Sequence, residues 1–167
     1  MFTCQSEALP LKQRALSGRR LILVDIENVV GRTVCCSADA LWAKAQVLEA
    51  VAVSGHDQIV IGTSHHGLLS TGCAWPDLRY VVGYGPNGAD HALLAVMQEN
   101  LADRFDAVVL VSGDGIFTGQ VARLGRAGVV VTVVAHPDGL ARRLELAAGR
   151  VAFLPTRIEN QNSGSVA

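Results

Sequence analysis

The sequence predicts an α/β domain: a three-layer sandwich with a mainly parallel central sheet and helices on both faces. Three observations predict it. Strand-length apolar runs alternate with segments of helical period from about residue 20 to residue 154. The apolar runs are continuous rather than alternating, the pattern of strands covered on both sides. Half of the residues are apolar and 17% are charged, enough apolar side chains for one sizeable core.

The elements follow in order. Residues 1–18 show no clear period, with Pro10 and Gly18 as punctuation, and read as a loosely ordered lead-in. Arg20–Asp25 (RLILVD) is an apolar strand that ends in an acid. Ser37–Val53 has helical spacing, with Leu41, Ala45, Leu48 and Val51 on the expected buried face and Ser37 as N-cap. Trp42 shares that spacing and reads as core. Gln58–Ile61 is a short β-branched strand, 65–72 a short helix and Leu78–Val82 the third strand. A helix opens at Asn87 or Gly88 and runs to about Arg104, with Leu93, Leu94, Met97 and Leu101 on one face. Ala107–Val111 is a strand, and Ile116–Ala127 a helix that stops at Gly128. Val129–Val134 is a strand, Leu140–Ala148 a short helix and Val151–Leu154 the last strand before Pro155. The domain spans 19–155. Residues 156–167 are polar, lack an apolar period and read as a disordered tail.

Composition excludes several classes. With 14 basic and 15 acidic side chains the net charge is −1, which excludes a globally basic nucleic-acid coat but not a local basic groove. No apolar run approaches the roughly 20 residues of a membrane span, and no apolar stretch precedes the first basic residues. The expectation is a cytoplasmic protein without membrane attachment. The four cysteines form no C-x-x-C pair and read as reduced thiols.

Parallel sheets carry their functional groups at the carboxyl ends of the strands, near the point where strand order reverses. Asp25 lies there in Asp25-Ile26-Glu27-Asn28, and Asp114 in Ser112-Gly113-Asp114-Gly115 after the fourth strand. Asp90 opens the helix after the third strand, in Gly88-Ala89-Asp90-His91. Topology thus brings Asp25, Asp90 and Asp114 to one edge. Carboxylates held together repel, and a divalent cation removes the conflict. Oxygen ligands suit Mg²⁺ or Mn²⁺, which can generate hydroxide and neutralise phosphate charge. Asn28 and Ser112 are expected to orient a carboxylate or a water, and Glu27 to support the site. Bland readings stand beside these: Asp90 favours a helix N-terminus, and Asp114 is a good turn former.

The segments LILVDIENVV (21–30), NGADHALL (87–94) and VVLVSGDGIF (108–117) together resemble the NYN family of the PIN-like nuclease superfamily. The resemblance implies a Rossmann-like sheet and Mg²⁺- or Mn²⁺-dependent cleavage of RNA phosphodiester bonds. By motif match, Asp25, Asp90 and Asp114 are the metal-binding, catalytic acids, with Asn28 the companion of Asp25. One departure matters. Many relatives read S-G-D-x-D-F, whereas Ile116 stands here in place of the second acid.

Gly83-Tyr84-Gly85-Pro86-Asn87-Gly88 spells G-x-G-x-x-G, but it follows the third strand and Asp90 would repel a pyrophosphate. Its glycines are read as a tight turn that presents Asp90. Arg32, Arg142 and Arg143 are the candidate contacts to RNA phosphates, His65 is a candidate RNA contact, and Trp75 and Tyr84 are candidates to stack a base. The reading is a metal-dependent endoribonuclease acting on RNA expected to be single-stranded. The alternative is a non-catalytic RNA- or protein-binding module on the same fold. A homodimer through a helix is compatible with a domain of this size.

Overall fold

The computed structural model describes residues 18–155. The expected lead-in, apart from Gly18, and the expected tail at 156–167 lie outside the described residues. Six strands form one sheet: β1 (Arg20–Asp25), β2 (Gln58–Ser64), β3 (Arg79–Gly83), β4 (Ala107–Val111), β5 (Val130–Ala135) and β6 (Arg150–Phe153). Their order is β3-β2-β1-β4-β5-β6, and every pairing is parallel. The expected α/β architecture is present.

One reversal of the strand order builds the layers. The chain steps outward from β1 to β2 to β3, returns to β4 beside β1, and steps outward again to β5 and β6. Right-handed crossovers place the helices of the two halves on opposite faces. Helices α1 (Ile26–Val30), α2 (Ser37–Ala50) and α3 (Leu68–Ala74) cover one face, and α4 (Gly88–Gln98), α5 (Thr118–Arg126) and α6 (Arg142–Ala147) the other. Strand β1 shows why its apolar run is continuous. Leu21 and Leu23 enter the core under α4 to α6, while Ile22 and Val24 enter the core under α1 to α3.

Several local expectations are corrected. Helix α2 buries Ala40, Ala43 and Val47, whereas Leu41 and Leu48 are 53% and 43% exposed. Small residues let the helix approach the sheet closely, and the larger leucines fall on the outer side. Ser37 is the first helical residue rather than the cap, and Asp39 serves the open end by accepting the Cys35 N–H at 3.2 Å. Trp42 is half-buried against the core and stacks on His136, with ring centroids 6.4 Å apart. Trp75 is buried, with Lys44 over its ring and its carbonyl accepting from the Tyr80 hydroxyl, so it offers no open face to a base. Helix α4 ends at Gln98, with a separate 3₁₀ turn at Leu101–Asp103.

Candidate active site

The strand order reverses between β1 and β4, and the acids converge at the carboxyl ends of these strands. Asp25 is the last residue of β1 and the N-cap of α1, accepting the Asn28 N–H at 3.2 Å. This five-residue helix carries Glu27 and Asn28 to the same edge. Asp25 is 3% exposed, and Ser112 Oγ donates to its Oδ2 at 2.9 Å. Ser112 Oγ also accepts the Asp114 N–H at 3.2 Å. Asn28 Oδ1 accepts the Gly113 N–H at 3.0 Å, which ties α1 to the loop after β4. The amide oxygen of Asn28 is thus a strut between the two strand ends, while its backbone holds Asp25.

Asp114 caps the 3₁₀ turn Gly115–Phe117 by accepting the Ile116 N–H at 2.8 Å. Ile116 packs against the core under α4 to α6. Asp90 lies in the first turn of α4, where a carboxylate is favoured by the helix dipole. A close backbone approach brings it back over the sheet edge. A methyl group on Gly83 would fall 1.9 Å from the Gly88 carbonyl oxygen, so both positions must lack a side chain. The G-x-G-x-x-G segment is this turn.

Asp25, Asp90 and Asp114 line one cavity of about 150 Å³, together with Glu27, Asn28 and Ser64. Burial is the main force that pushes the Asp25 carboxyl up to about 8, with the charge of Asp90 next, against the lowering effect of Ser112 and Asn28. Burial also raises Asp90, and the charge of Asp114 adds to it, against a lowering contact with Asp25. Asp25 and Asp90 stand near enough for one proton to serve both.

The donor set is oxygen throughout, as hard cations such as Mg²⁺ and Mn²⁺ require. Among the described residues, no three His, Cys, Asp or Glu side chains converge closely enough to enclose a metal ion. Asp25 and Asp90, which line the same cavity, are the oxygen donors that could hold such an ion.

Comparison with known proteins shows the family. The family model for the NYN domain matches residues 19–155. The chain belongs to the NYN domain family. NYN domains fall within the PIN-like superfamily, whose fold is nuclease-like. The crystal structure of a protein of unknown function from Vibrio parahaemolyticus shares the fold, with 20% identity, a TM-score of 0.52 and coverage of 82% of this chain and 93% of that one. Comparison with curated proteins gives no match.

The other expected contacts of this NYN domain are dispersed. Arg143 lies against Gly115, one residue from Asp114, where a methyl group would meet its Nε at 2.3 Å. Arg142 is exposed and pairs with Glu145 at 2.6 Å, and Arg32 pairs with Asp39 at 2.6 Å. His65 lines a second cleft next to the acids. Ser64, which sequence reasoning passed over, lines both cavities and donates to Glu27 Oε1. Its position at the end of β2 was the available signal. The loop after β5 is tied to α1 by His136, whose Nε2 is 2.8 Å from the Val29 carbonyl. No helix among the described residues is long and apolar enough to cross a membrane.

Proposed function

We propose that this NYN domain cleaves RNA phosphodiester bonds with Mg²⁺ or Mn²⁺ held by Asp25 and Asp90. The observation that carries the reading is the pairing of buried Asp25 with half-buried Asp90 at the strand-order reversal. Two carboxyls forced together in low dielectric destabilise the fold unless a proton or a cation joins them, and such costs are retained where function needs them. When bound, a divalent cation supplies a hydroxide nucleophile and neutralises charge on the phosphate.

The chain's own groups divide the remaining work. Ser112 and the Asn28 N–H fix the two oxygens of Asp25, so the carboxylate is preorganised before any ligand arrives. Asp114 supplies a third negative wall, fixed through Oδ1 by the Ile116 N–H. Glu27, held by Ser64, supports the cavity from the β2 side. Arg143 is the arginine best placed to meet a phosphate oxygen, because its guanidinium borders the Asp114 turn and, among the described residues, no acid pairs with it as Asp39 and Glu145 pair with Arg32 and Arg142. The substrate reading of single-stranded RNA and a catalytic role for Asp114 belong to the same proposal.

Two observations favour the alternative, a binding module without catalysis. Ile116 faces the core where many relatives carry an acid, and three acids do not close around one point. Incubating end-labelled single-stranded RNA with the protein in Mn²⁺, Mg²⁺ or EDTA separates the two. Cleavage is expected with either metal and none in EDTA. RNA binding without cleavage in any metal supports the module.

A further inference from the structure

Next to the acid cavity lies a second cleft of about 290 Å³. The two share Glu27, Ser64, Gly85 and Asn87 as walls, so they lie side by side. His65 and His66 line the second cleft, with ring centroids 3.7 Å apart. The His65 ring also stacks on Tyr84 at 4.9 Å and 20°. Tyr84 is 76% exposed. A single exposed aromatic needs no explanation, but here three rings are in contact, two of them lining the cleft and the third next in sequence to its Gly85 wall, and they form a platform.

The platform is held by backbone. The His65 N–H donates to the Gly83 carbonyl at 3.2 Å, joining the ends of β2 and β3. Tyr84 is followed by Gly85 and Asn87, both with positive φ, around the rigid Pro86. Rings ordered in advance lose little freedom when a further ring joins the stack. Bases of any identity present a π-face, whereas bases inside a duplex have both faces covered. The Asn87 amide and Thr33 hydroxyl in the same cleft offer hydrogen bonds to a base edge or sugar.

We infer that an unpaired nucleobase stacks on the exposed Tyr84 ring, backed by His65, at the rim of this cleft, in a single strand whose phosphate lies at the acids. The inference rests on the nuclease reading for the position of the phosphate and on the ring geometry for the base. It predicts a single-strand preference set outside the acid cavity.

The test is the affinity of a labelled single-stranded hexaribonucleotide, measured by fluorescence anisotropy in EDTA and in Mg²⁺. Wild type, Tyr84→Phe and Tyr84→Ala are compared, with a series of hexamers carrying one abasic site at successive positions. Tyr84→Ala is expected to weaken binding roughly 5- to 150-fold, and Tyr84→Phe to stay near wild type. One abasic position should reproduce the loss in wild type and show none in Tyr84→Ala, and a duplex should bind no better than the alanine variant does. Equal affinities for wild type and Tyr84→Ala, insensitivity to every abasic position, or no wild-type binding overturns the inference. Binding with the Tyr84 dependence but without cleavage keeps this subsite and removes the nuclease reading. Cleavage without a Tyr84 effect does the reverse.

Discussion

Asp25, at the end of β1, and Asp90, in the first turn of α4, line one cavity at the sheet edge, where burial and then the charge of Asp90 favour a proton on Asp25. They reach this position from opposite layers. Asp25 leads into α1 on one face, and α4 packs on the other. The strand-order reversal between β1 and β4 leaves an opening where both can meet.

The first consequence is a dependence of stability on pH. Asp25 has an ordinary value of 3.8 and is pushed up to about 8 in the folded chain. The folded state therefore holds more protons than the unfolded state between about pH 4 and pH 8. Stability without metal falls as pH rises through that window and levels off above it. Asp57 and Glu99 are lowered by their arginine partners, so their contributions are complete above their unfolded values and add no opposing slope there. Urea unfolding in EDTA from pH 5 to pH 9 should show the fall. A flat or rising profile contradicts the shared-proton pair.

Removing the charge should stabilise the metal-free protein. Asp25→Asn preserves shape and can still accept from Ser112 or Asn28, while the like-charge conflict disappears. At pH 8 in EDTA the variant is expected to gain about 1–2 kcal/mol, a rise in Tm of roughly 2–8 °C for a chain of this size. Thermal unfolding of both proteins in EDTA checks this, and a lower Tm for the variant counts against the account.

The turn that delivers Asp90 depends on Gly83. Its missing side chain is the space that the Gly88 carbonyl fills. Gly83→Ala must push β3 and α4 apart, at a cost of about 1–3 kcal/mol, and move Asp90 with them. Chemical denaturation measures the first effect. The second should appear as loss of metal-dependent cleavage under conditions where the variant remains folded.

Ile116 makes a further distinction. Its side chain packs against the core under α4 to α6 and is not among the groups that line the acid cavity. Ile116→Asp is therefore expected to destabilise by about 1–3 kcal/mol through burial of a polar group, without increasing metal affinity. A tenfold or greater gain in Mn²⁺ affinity, read by calorimetry, would show that this position faces the site.

The sheet and the acids were legible in sequence because each strand is a continuous apolar run with a polar stop. Arg20–Asp25 and Ala107–Val111 have the expected bounds. Strand β2 runs on to Ser64 because Gly62 and Thr63 are not apolar yet pair with β3. Helix α1 escaped because five residues carry no measurable period, although Asp25 followed by Asn28 was a capping signal. The buried face of α2 was misread because size and hydropathy favour Leu41 and Leu48, whereas close packing on the sheet favours Ala40 and Ala43. His65 and Tyr84 were each legible as candidate RNA contacts, but their stacking was not, because they come from the ends of β2 and β3 and only tertiary structure brings them together.

The central claim is that the acids hold a cation that drives RNA cleavage. Mn²⁺ titration by calorimetry, run with cleavage of labelled single-stranded RNA, tests it most directly in wild type and Asp25→Asn. The account predicts that wild type binds Mn²⁺ and cleaves, and that the folded variant loses both by at least tenfold. Wild-type protein that neither binds Mn²⁺ nor cleaves RNA, or an Asp25→Asn variant that does both unchanged, would contradict it.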